Sequence, residues 1–120
     1  MPNPFVHVEL QTTDIEKAKA FYKGLFKWDL EKAPGMDYTL IKVGSGTGGG
    51  MMQTPKPNLP SHWMAYVGVD DVAAALKKAK SLGATICMEA TDVGGHGIMG
   101  VFIDPTGAAL ALWQEIPKKK

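Results

Sequence analysis

The sequence repeats one pattern of apolar residues, and the two copies lie about 57 positions apart, as Ile15 and Val72 do. In each copy an apolar strand pattern leads into an acidic residue, an amphipathic helix pattern and then several short strand patterns. An internal repeat constrains the architecture more than any single motif does. This one predicts an α+β fold that consists of two tandem βαβββ modules.

Prolines mark the boundary between the two modules. The first module spans residues from about 4 to 54 and the second from about 62 to 116, within a single domain of residues 1–120. Residues 55–61 between them contain three prolines, which cannot continue a hydrogen-bonded ladder. This segment is therefore predicted to be a linker.

Both helix patterns carry boundary signals. Thr13, with Glu16 three residues later, forms a capping box, which predicts that the first helix starts there. The predicted buried stripe of this helix extends to Leu25. The second helix is predicted from about Val72 to Leu82, because Gly83 is a good left-handed cap.

The first strand pattern has two different faces. Its apolar and polar residues alternate with a period of two: Val6, Val8 and Leu10 against His7, Glu9 and Gln11. One helix per module can cover only one face of its sheet. We expect the apolar residues under the helix and the polar residues on the other face. The predicted architecture is a mixed sheet that curls around a cleft, with both helices on its outer face.

Composition argues against several classes of partner. Thirteen basic and twelve acidic side chains leave a net charge of +1, so neither nucleic acid nor an anionic membrane is expected. No apolar run approaches the ~18 residues that a membrane span needs. With no visible export signal and a single cysteine, Cys87, the chain is predicted to be cytoplasmic. Cys87 itself is expected to be buried in a strand.

Several short motifs follow one another in a characteristic order over nearly the whole chain. They are His7-Val8-x-Leu10, Asp14-Ile15-Glu16-Lys17-Ala18, Phe21-Tyr22-x-x-Leu25-Phe26, Val69-Asp70-Asp71-Val72, Leu82-Gly83-Ala84 and Asp104-Pro105-x-Gly107. In this order they resemble the vicinal oxygen chelate superfamily, which includes glyoxalase I, extradiol dioxygenases, and fosfomycin- and bleomycin-resistance proteins. The ending Leu112-Trp113-Gln114 is similar to that of a glyoxalase-like subgroup.

The resemblance implies four positions for the ligands of a divalent metal ion. His7 falls on the first of them, whereas Met64 and Ala111 fall on two others. The fourth lies near residues 51–53, where no carboxylate occurs. A thioether is a poor ligand for such ions, and a catalytic metal normally keeps at least three protein ligands. We therefore expect no metal and no other cofactor, although a divalent metal with unusual ligands stays open.

His7 and Glu9 are the candidate catalytic residues. A histidine near its ordinary pKa suits general acid–base work, and Glu9 would lie on the same face. The alternative is that His7 is a former ligand, now simply hydrogen-bonded in the cleft. His62 could join both in a two-histidine, one-carboxylate metal site, but it is two residues, or about 6.5 Å, out of register with Met64.

The predicted ligand-binding residues share the polar face of the first strand or the strand parity of the former ligand positions. They are Gln11, His62, Met64, Tyr66, Ala111 and Trp113. Tyr66 and Trp113, with Trp63 nearby, could form an aromatic wall for a flat or apolar ligand. Packing at a module or subunit interface is the alternative interpretation. His96, among three glycines, is expected to be a turn residue.

Three functions from different classes remain open. The first is a glyoxalase- or bleomycin-resistance-like protein that binds a small molecule in its cleft. The second is a metal-free lyase or isomerase that uses His7 as acid–base, and the third is a metal-dependent lyase or dioxygenase with unusual ligands. The first ranks highest, because the ligand set is incomplete. A homodimer is also expected, since an open sheet leaves an apolar face and strand edges to cover.

Overall fold

The chain folds into eight strands and two helices in the order that the repeat predicts. A computed structural model describes residues 3–35, 37–54 and 59–116, so residues 55–58 of the predicted linker lie outside the described residues. The elements are β1 (Phe5–Thr12), α1 (Ile15–Leu25), β2 (Asp29–Lys32), β3 (Thr39–Lys42), β4 (Gly49–Gln53), β5 (His62–Gly68), α2 (Val72–Ser81), β6 (Thr85–Asp92), β7 (Gly97–Ile103) and β8 (Ala109–Glu115). The α+β class and the tandem βαβββ order are confirmed.

The described residues form two compact units, and each has the same strand topology. The N-terminal unit is His7–Met64, and the C-terminal unit contains the described residues up to Val6 and from Ala65 onward. The strand order is β2-β3-β4-β1 in the first and β5-β8-β7-β6 in the second. In each, the first strand of the module pairs in parallel with the last, and the other pairs are antiparallel. The sheet is therefore mixed.

Helix α2 packs tightly on its sheet. Val72 and Leu76 are buried and form a core cluster with Leu112 of β8. Gly100 of β7 permits this approach, because a Cβ there would lie only 2.6 Å from Leu76 Cδ1. The helix stops before Gly83, whose φ of +105° is in the left-handed region, as predicted.

Helix α1 begins differently from the prediction. Its N-cap is Asp14, whose carboxylate accepts a hydrogen bond of 3.0 Å from the Lys17 backbone N–H. The predicted start at Thr13 is wrong because the carboxylate of Asp14 occupies the capping role one residue later. The hydroxyl of Thr12 in turn accepts a hydrogen bond from the Asp14 N–H.

The buried stripe of α1 is also shorter than predicted. The core of the N-terminal unit is Leu10, Ile41 and Met51, and the first turns of α1 pack on it through Ile15 and Ala18. Leu25 was expected in the stripe, but 58% of its surface is exposed. No residue of α1 is fully buried.

Each module uses a glutamine of its last strand to hold the start of its helix. The Oε1 of Gln53 accepts a hydrogen bond of 3.4 Å from the Ile15 N–H, and its Nε2 donates one of 2.6 Å to the Thr13 carbonyl. The Oε1 of Gln114 accepts one of 2.9 Å from the Val72 N–H. The first N–H groups of a helix have no partner within the helix, so such bonds satisfy them. The repeat thus extends to the caps of both helices.

Cys87 is exposed, and the prediction of a buried thiol is wrong. Its neighbour Ile86 packs against the cluster under α2. Successive side chains of a strand point to opposite faces, so Cys87 points away from that core. Among the described residues, neither helix is long and apolar enough to cross a membrane.

Candidate functional site

A hydrogen-bonded group of polar side chains lies on one face of β1, in the N-terminal unit. The alternation of β1 places His7, Glu9 and Gln11 on this face, as predicted. The Gln11 amide donates a hydrogen bond of 2.8 Å to Glu9 Oε2. Glu9 is only 5% exposed. A carboxylate at that depth needs hydrogen-bond donors around it.

Tyr38 completes this group and was not predicted from the sequence. Its hydroxyl oxygen lies 2.7 Å from His7 Nε2, and its O–H donates a hydrogen bond of 3.0 Å to Glu9 Oε1. We call His7, Glu9, Gln11 and Tyr38 the polar network. Tyr38 immediately precedes β3, and its ring reaches β1 by crossing β4.

Gly50 makes this crossing possible. It pairs with Glu9 on one side and with Leu40 on the other. A Cβ at Gly50 would overlap the phenol ring of Tyr38. A glycine inside a strand often marks a close approach of this kind, so Gly50 was the one sequence signal that could have pointed to Tyr38.

The hydrogen bonds of the polar network run in one direction. The phenol has a single proton, and a carboxylate can only accept, so that proton is directed to Glu9. His7 Nε2–H must then donate to the phenol oxygen, which assigns the neutral ring's lone pair to Nδ1. Two successive hydrogen bonds are therefore donated in the same direction, from His7 to Tyr38 and from Tyr38 to Glu9.

The environment of His7 favours its neutral form. Burial lowers the pKa of His7 below its ordinary value of 6.5, and attraction to the Glu9 carboxylate opposes this shift without overcoming it. The ring also stacks loosely on Tyr38, with ring centroids 6.2 Å apart and planes inclined by 24°. At neutral pH the imidazole is thus uncharged and able to accept a proton.

The side chains at the family's ligand positions do not fit a divalent ion. Met64 and Ala111 are both buried and offer a thioether and a methyl group. His62 donates from Nδ1 to the Pro60 carbonyl at 2.8 Å. Within residues 3–35, 37–54 and 59–116, no three or more His, Cys, Asp or Glu side chains come together as a metal site would require.

The C-terminal unit brings together three of the predicted ligand-binding residues. Tyr66 is buried beside Ala111 of the neighbouring strand, and its ring meets that of Trp113 edge-on at 6.5 Å between centroids. Trp113 in turn lies over Gly97, where a Cβ would overlap the indole. This unit therefore holds an aromatic pair on its sheet.

Trp63 was expected beside this pair but packs elsewhere. Its indole makes edge-on contacts with Tyr22 and Trp28, at centroid distances of 5.5 and 6.4 Å. The reason is strand parity, because Trp63 and Met64 are successive residues of β5 and point to opposite faces. His96 is exposed in the turn before β7, as predicted.

Comparison with solved structures identifies the fold. Hypothetical protein BH1468 from Bacillus halodurans superposes with a TM-score of 0.70 at 14% identity, covering 100% of this chain and 99% of that one. Methylmalonyl-CoA epimerase from Mycobacterium tuberculosis superposes with a TM-score of 0.68 at 17% identity, covering 94% and 88% of the two chains. At these identities the likeness establishes the fold alone.

Comparison of sequences adds curated relatives. A protein of Mycobacterium bovis named "Putative glyoxylase CFP32" is 35% identical over 114 residues, which is 92% of this chain and 44% of the relative. The "Anthracycline biosynthesis protein DnrV" of Streptomyces peucetius is 31% identical over 124 residues, covering 89% of this chain and 45% of the relative. This chain thus spans a little under half the length of both relatives.

A family model extends the match over most of the chain. It aligns with residues 5–112, which include the first βαβββ module, with the strand that carries His7 and Glu9, and the second module as far as Leu112 in β8. The resemblance inferred from the short motifs is therefore confirmed. The chain belongs to the Glyoxalase/Bleomycin resistance protein/Dioxygenase superfamily.

Proposed function

We propose that this chain binds a small organic molecule at the polar network, without a metal ion. The observation that carries the proposal is the Tyr38 hydroxyl, held between His7 and Glu9 at 2.7 and 3.0 Å. Ligand sites combine apolar walls with a few well-placed polar groups of this type. The relatives named as a glyoxylase and an anthracycline biosynthesis protein support a small-molecule ligand.

Binding is tested with a panel of 1,2-dicarbonyl and α-hydroxycarbonyl compounds, measured by calorimetry in the presence of EDTA. We expect at least one compound to bind, and His7→Ala and Tyr38→Phe to weaken that binding by about tenfold or more, the equivalent of one good hydrogen bond. His96→Ala is the control, because His96 lies exposed in a turn of the C-terminal unit. Equal affinity of all three variants would refute the proposal.

A second candidate function is proton transfer by the same residues. Two observations favour it: burial lowers the pKa of His7, and the hydrogen bonds run one way to Glu9. A proton taken from a carbon next to a carbonyl would arrive at His7 Nδ1, while the Nε2 proton moves to Tyr38 and the phenol proton moves to Glu9 Oε1. The substrate becomes an enolate and Glu9 a neutral acid, and reversal at another position would give an isomer.

Exchange into solvent separates binding from proton transfer. For a compound that binds, NMR in D₂O would follow deuterium entry at the carbon next to the carbonyl. We expect Glu9→Gln to retain binding within about threefold but to lose exchange by about 10²-fold or more, as removal of an acid–base group does. Binding without any exchange by the unaltered chain would leave sequestration as the function and exclude proton transfer.

The metal-dependent alternative is tested by titration with Zn²⁺, Ni²⁺ and Fe²⁺. His7 and Glu9 supply two possible metal ligands, and no third His, Cys, Asp or Glu side chain joins them among the described residues. A catalytic metal normally has at least three protein ligands, so we expect no tight stoichiometric binding of these ions. One equivalent of metal bound with submicromolar affinity would overturn the metal-free proposal.

Location in the cytoplasm stays a prediction, which cell fractionation tests.

We further propose that the functional form is a homodimer. Three large apolar side chains near the end of α1 are exposed: Phe21, Leu25 and Phe26. Exposed apolar clusters commonly mark protein interfaces. Light scattering at micromolar concentration should give twice the chain mass, and a monomer would contradict the proposal.

A further inference from the structure

The N-terminal unit contains a second pocket on the side of β1 opposite to the polar network. Its volume is about 290 Å³, and its lining includes Val8 of β1, Val43 and Trp63. His7 and Glu9 flank Val8 along the strand and point to the other face. The pocket is therefore separate from the polar network and does not depend on the function proposed for it.

Two tryptophans form the walls of this pocket. The indoles of Trp28 and Trp63 meet at 76°, with centroids 6.4 Å apart, and so make a corner. The rings of Phe26 and Tyr22 pack against Trp28, at centroid distances of 4.7 and 5.7 Å. Trp63 is 41% exposed, which leaves part of its ring accessible. Walls of this kind suit a flat ring system.

Two glycines form part of the pocket lining, Gly48 and Gly49, and they present only backbone atoms to it. A Cβ on Gly49 would overlap the Val8 carbonyl, and a Cβ on Gly48 would lie 3.0 Å from the Ile41 carbonyl oxygen. These glycines therefore permit the close approach of the backbone segments beside the pocket.

The polar groups of the pocket define the chemistry of its occupant. None of its lining residues is charged, and Thr47 contributes the only side-chain hydroxyl among them. Within the described part of the chain, the indole N–H of neither Trp28 nor Trp63 donates a hydrogen bond. Both rings are partly exposed, so water can accept from their N–H groups in the free chain. An occupant that displaces this water loses affinity unless it replaces the hydrogen bonds. The occupant should therefore be uncharged and carry an acceptor such as a carbonyl or hydroxyl oxygen.

We propose that this corner of Trp28 and Trp63 is a binding site for a flat, uncharged aromatic molecule of about two fused rings with an oxygen acceptor. The volume supports this size, because an apolar cavity of about 150 Å³ accommodates benzene and drug-sized ligands need upward of about 300 Å³.

The test uses 2-naphthol as the probe and the three indole N–H signals in a ¹H–¹⁵N NMR spectrum of the full chain. The signals of Trp28 and Trp63 should shift saturably with the probe. The signal of Trp113, which lies in the C-terminal unit, should not move and serves as an internal reference. A uniform shift of all three signals, or no shift, would overturn the proposal.

Variants on the two faces of β1 sharpen this test. Trp63→Ala removes a wall and Val43→Phe fills the space, and each should weaken 2-naphthol binding by about tenfold. Tyr38→Phe, on the other face, should change it by less than about twofold. Retained binding in both pocket variants, with native circular dichroism, would contradict the site. If the Trp63 signal shifted with protein concentration and not with the concentration of 2-naphthol, the proposed small-molecule site would also be overturned. A second copy of the chain would then be the occupant.

Discussion

The two units share one topology but place different side chains on it. The repeat aligns His7 with Met64 and Glu9 with Tyr66. His7 and Glu9 belong to the hydrogen-bonded polar network of β1. Met64 and Tyr66, at the corresponding positions of β5, are buried hydrophobic residues. The duplicated backbone therefore specifies where a side chain lies, and the residue type decides whether that position is polar or apolar.

The two helices also differ in how deeply their side chains are buried. Helix α2 buries Val72 and Leu76, whereas α1 has no fully buried residue. Helix α2 is thus packed more deeply on its sheet than α1 is, and the polar network lies in the unit of α1. The two units are therefore expected to respond differently to substitution.

The largest difference is expected between two leucines of the helices. Leu76→Ala should lower the free energy of unfolding by about 2–5 kcal/mol, because Leu76 is 2% exposed and its loss leaves a cavity. Leu25→Ala should lower it by less than about 1 kcal/mol, since Leu25 is mostly exposed. Urea unfolding measures both. Equal losses would remove the contrast in packing between the helices.

A smaller effect is expected from two tyrosines of the N-terminal unit. Tyr38→Phe removes a hydrogen-bond partner of both His7 and Glu9 and should cost about 1–3 kcal/mol, because the buried Glu9 carboxylate loses one of its donors. Tyr22→Phe is the matched control, as the Tyr22 hydroxyl makes no hydrogen bond within the described residues, and should cost under about 0.5 kcal/mol. A larger loss for Tyr22→Phe would argue against the polar network.

The pH dependence of stability tests the state of His7. Because burial lowers the pKa of His7, the unfolded chain binds the proton more readily than the folded chain does. The contribution of neutral His7 to the free energy of unfolding is then fully present above its ordinary pKa of 6.5. It is lost as the pH falls through 6.5 toward the lower pKa that His7 has in the folded chain. His7→Gln should show a flatter decline of unfolding free energy between pH 7 and about pH 5 than the parent chain. If the decline were the same in His7→Gln and in the parent chain, burial would not lower the pKa of His7.

The smallest contrast concerns the two glutamines that hold the helix starts. Gln114→Ala should cost about 1 kcal/mol, because Gln114 is half-buried and bonds the first N–H of the well-packed helix. Gln53→Ala should cost less, because Gln53 is exposed and water can replace its bonds. Thermal unfolding of the two variants measures the difference. A greater loss for Gln53→Ala would reverse this assignment.

Periodicity and repeat were sufficient to predict the fold. Alternation along β1 placed His7, Glu9 and Gln11 on one face, and Gly83 marked the end of α2. These features are local, so the sequence carries them directly. Thr13 and Asp14 both have capping side chains, and the sequence pattern could not tell which of them would be the N-cap.

The candidate site was only partly predictable because its last member comes from another strand. Tyr38 reaches His7 across β4, which depends on strand order and on the missing side chain at Gly50. Likewise, the exposure of Leu25 and Cys87 depends on which face each element covers in three dimensions. Gly50 signals a close approach to its strand, but a single sequence does not say which distant residue makes it.

Metal-free binding at the polar network is tested most directly by the affinity of one ligand from the panel for the parent chain and for Tyr38→Phe, measured in EDTA. We expect the parent chain to bind in EDTA and the variant to bind about tenfold more weakly. Binding that appears only after Zn²⁺, Ni²⁺ or Fe²⁺ is added, and that is equal in both proteins, would contradict it.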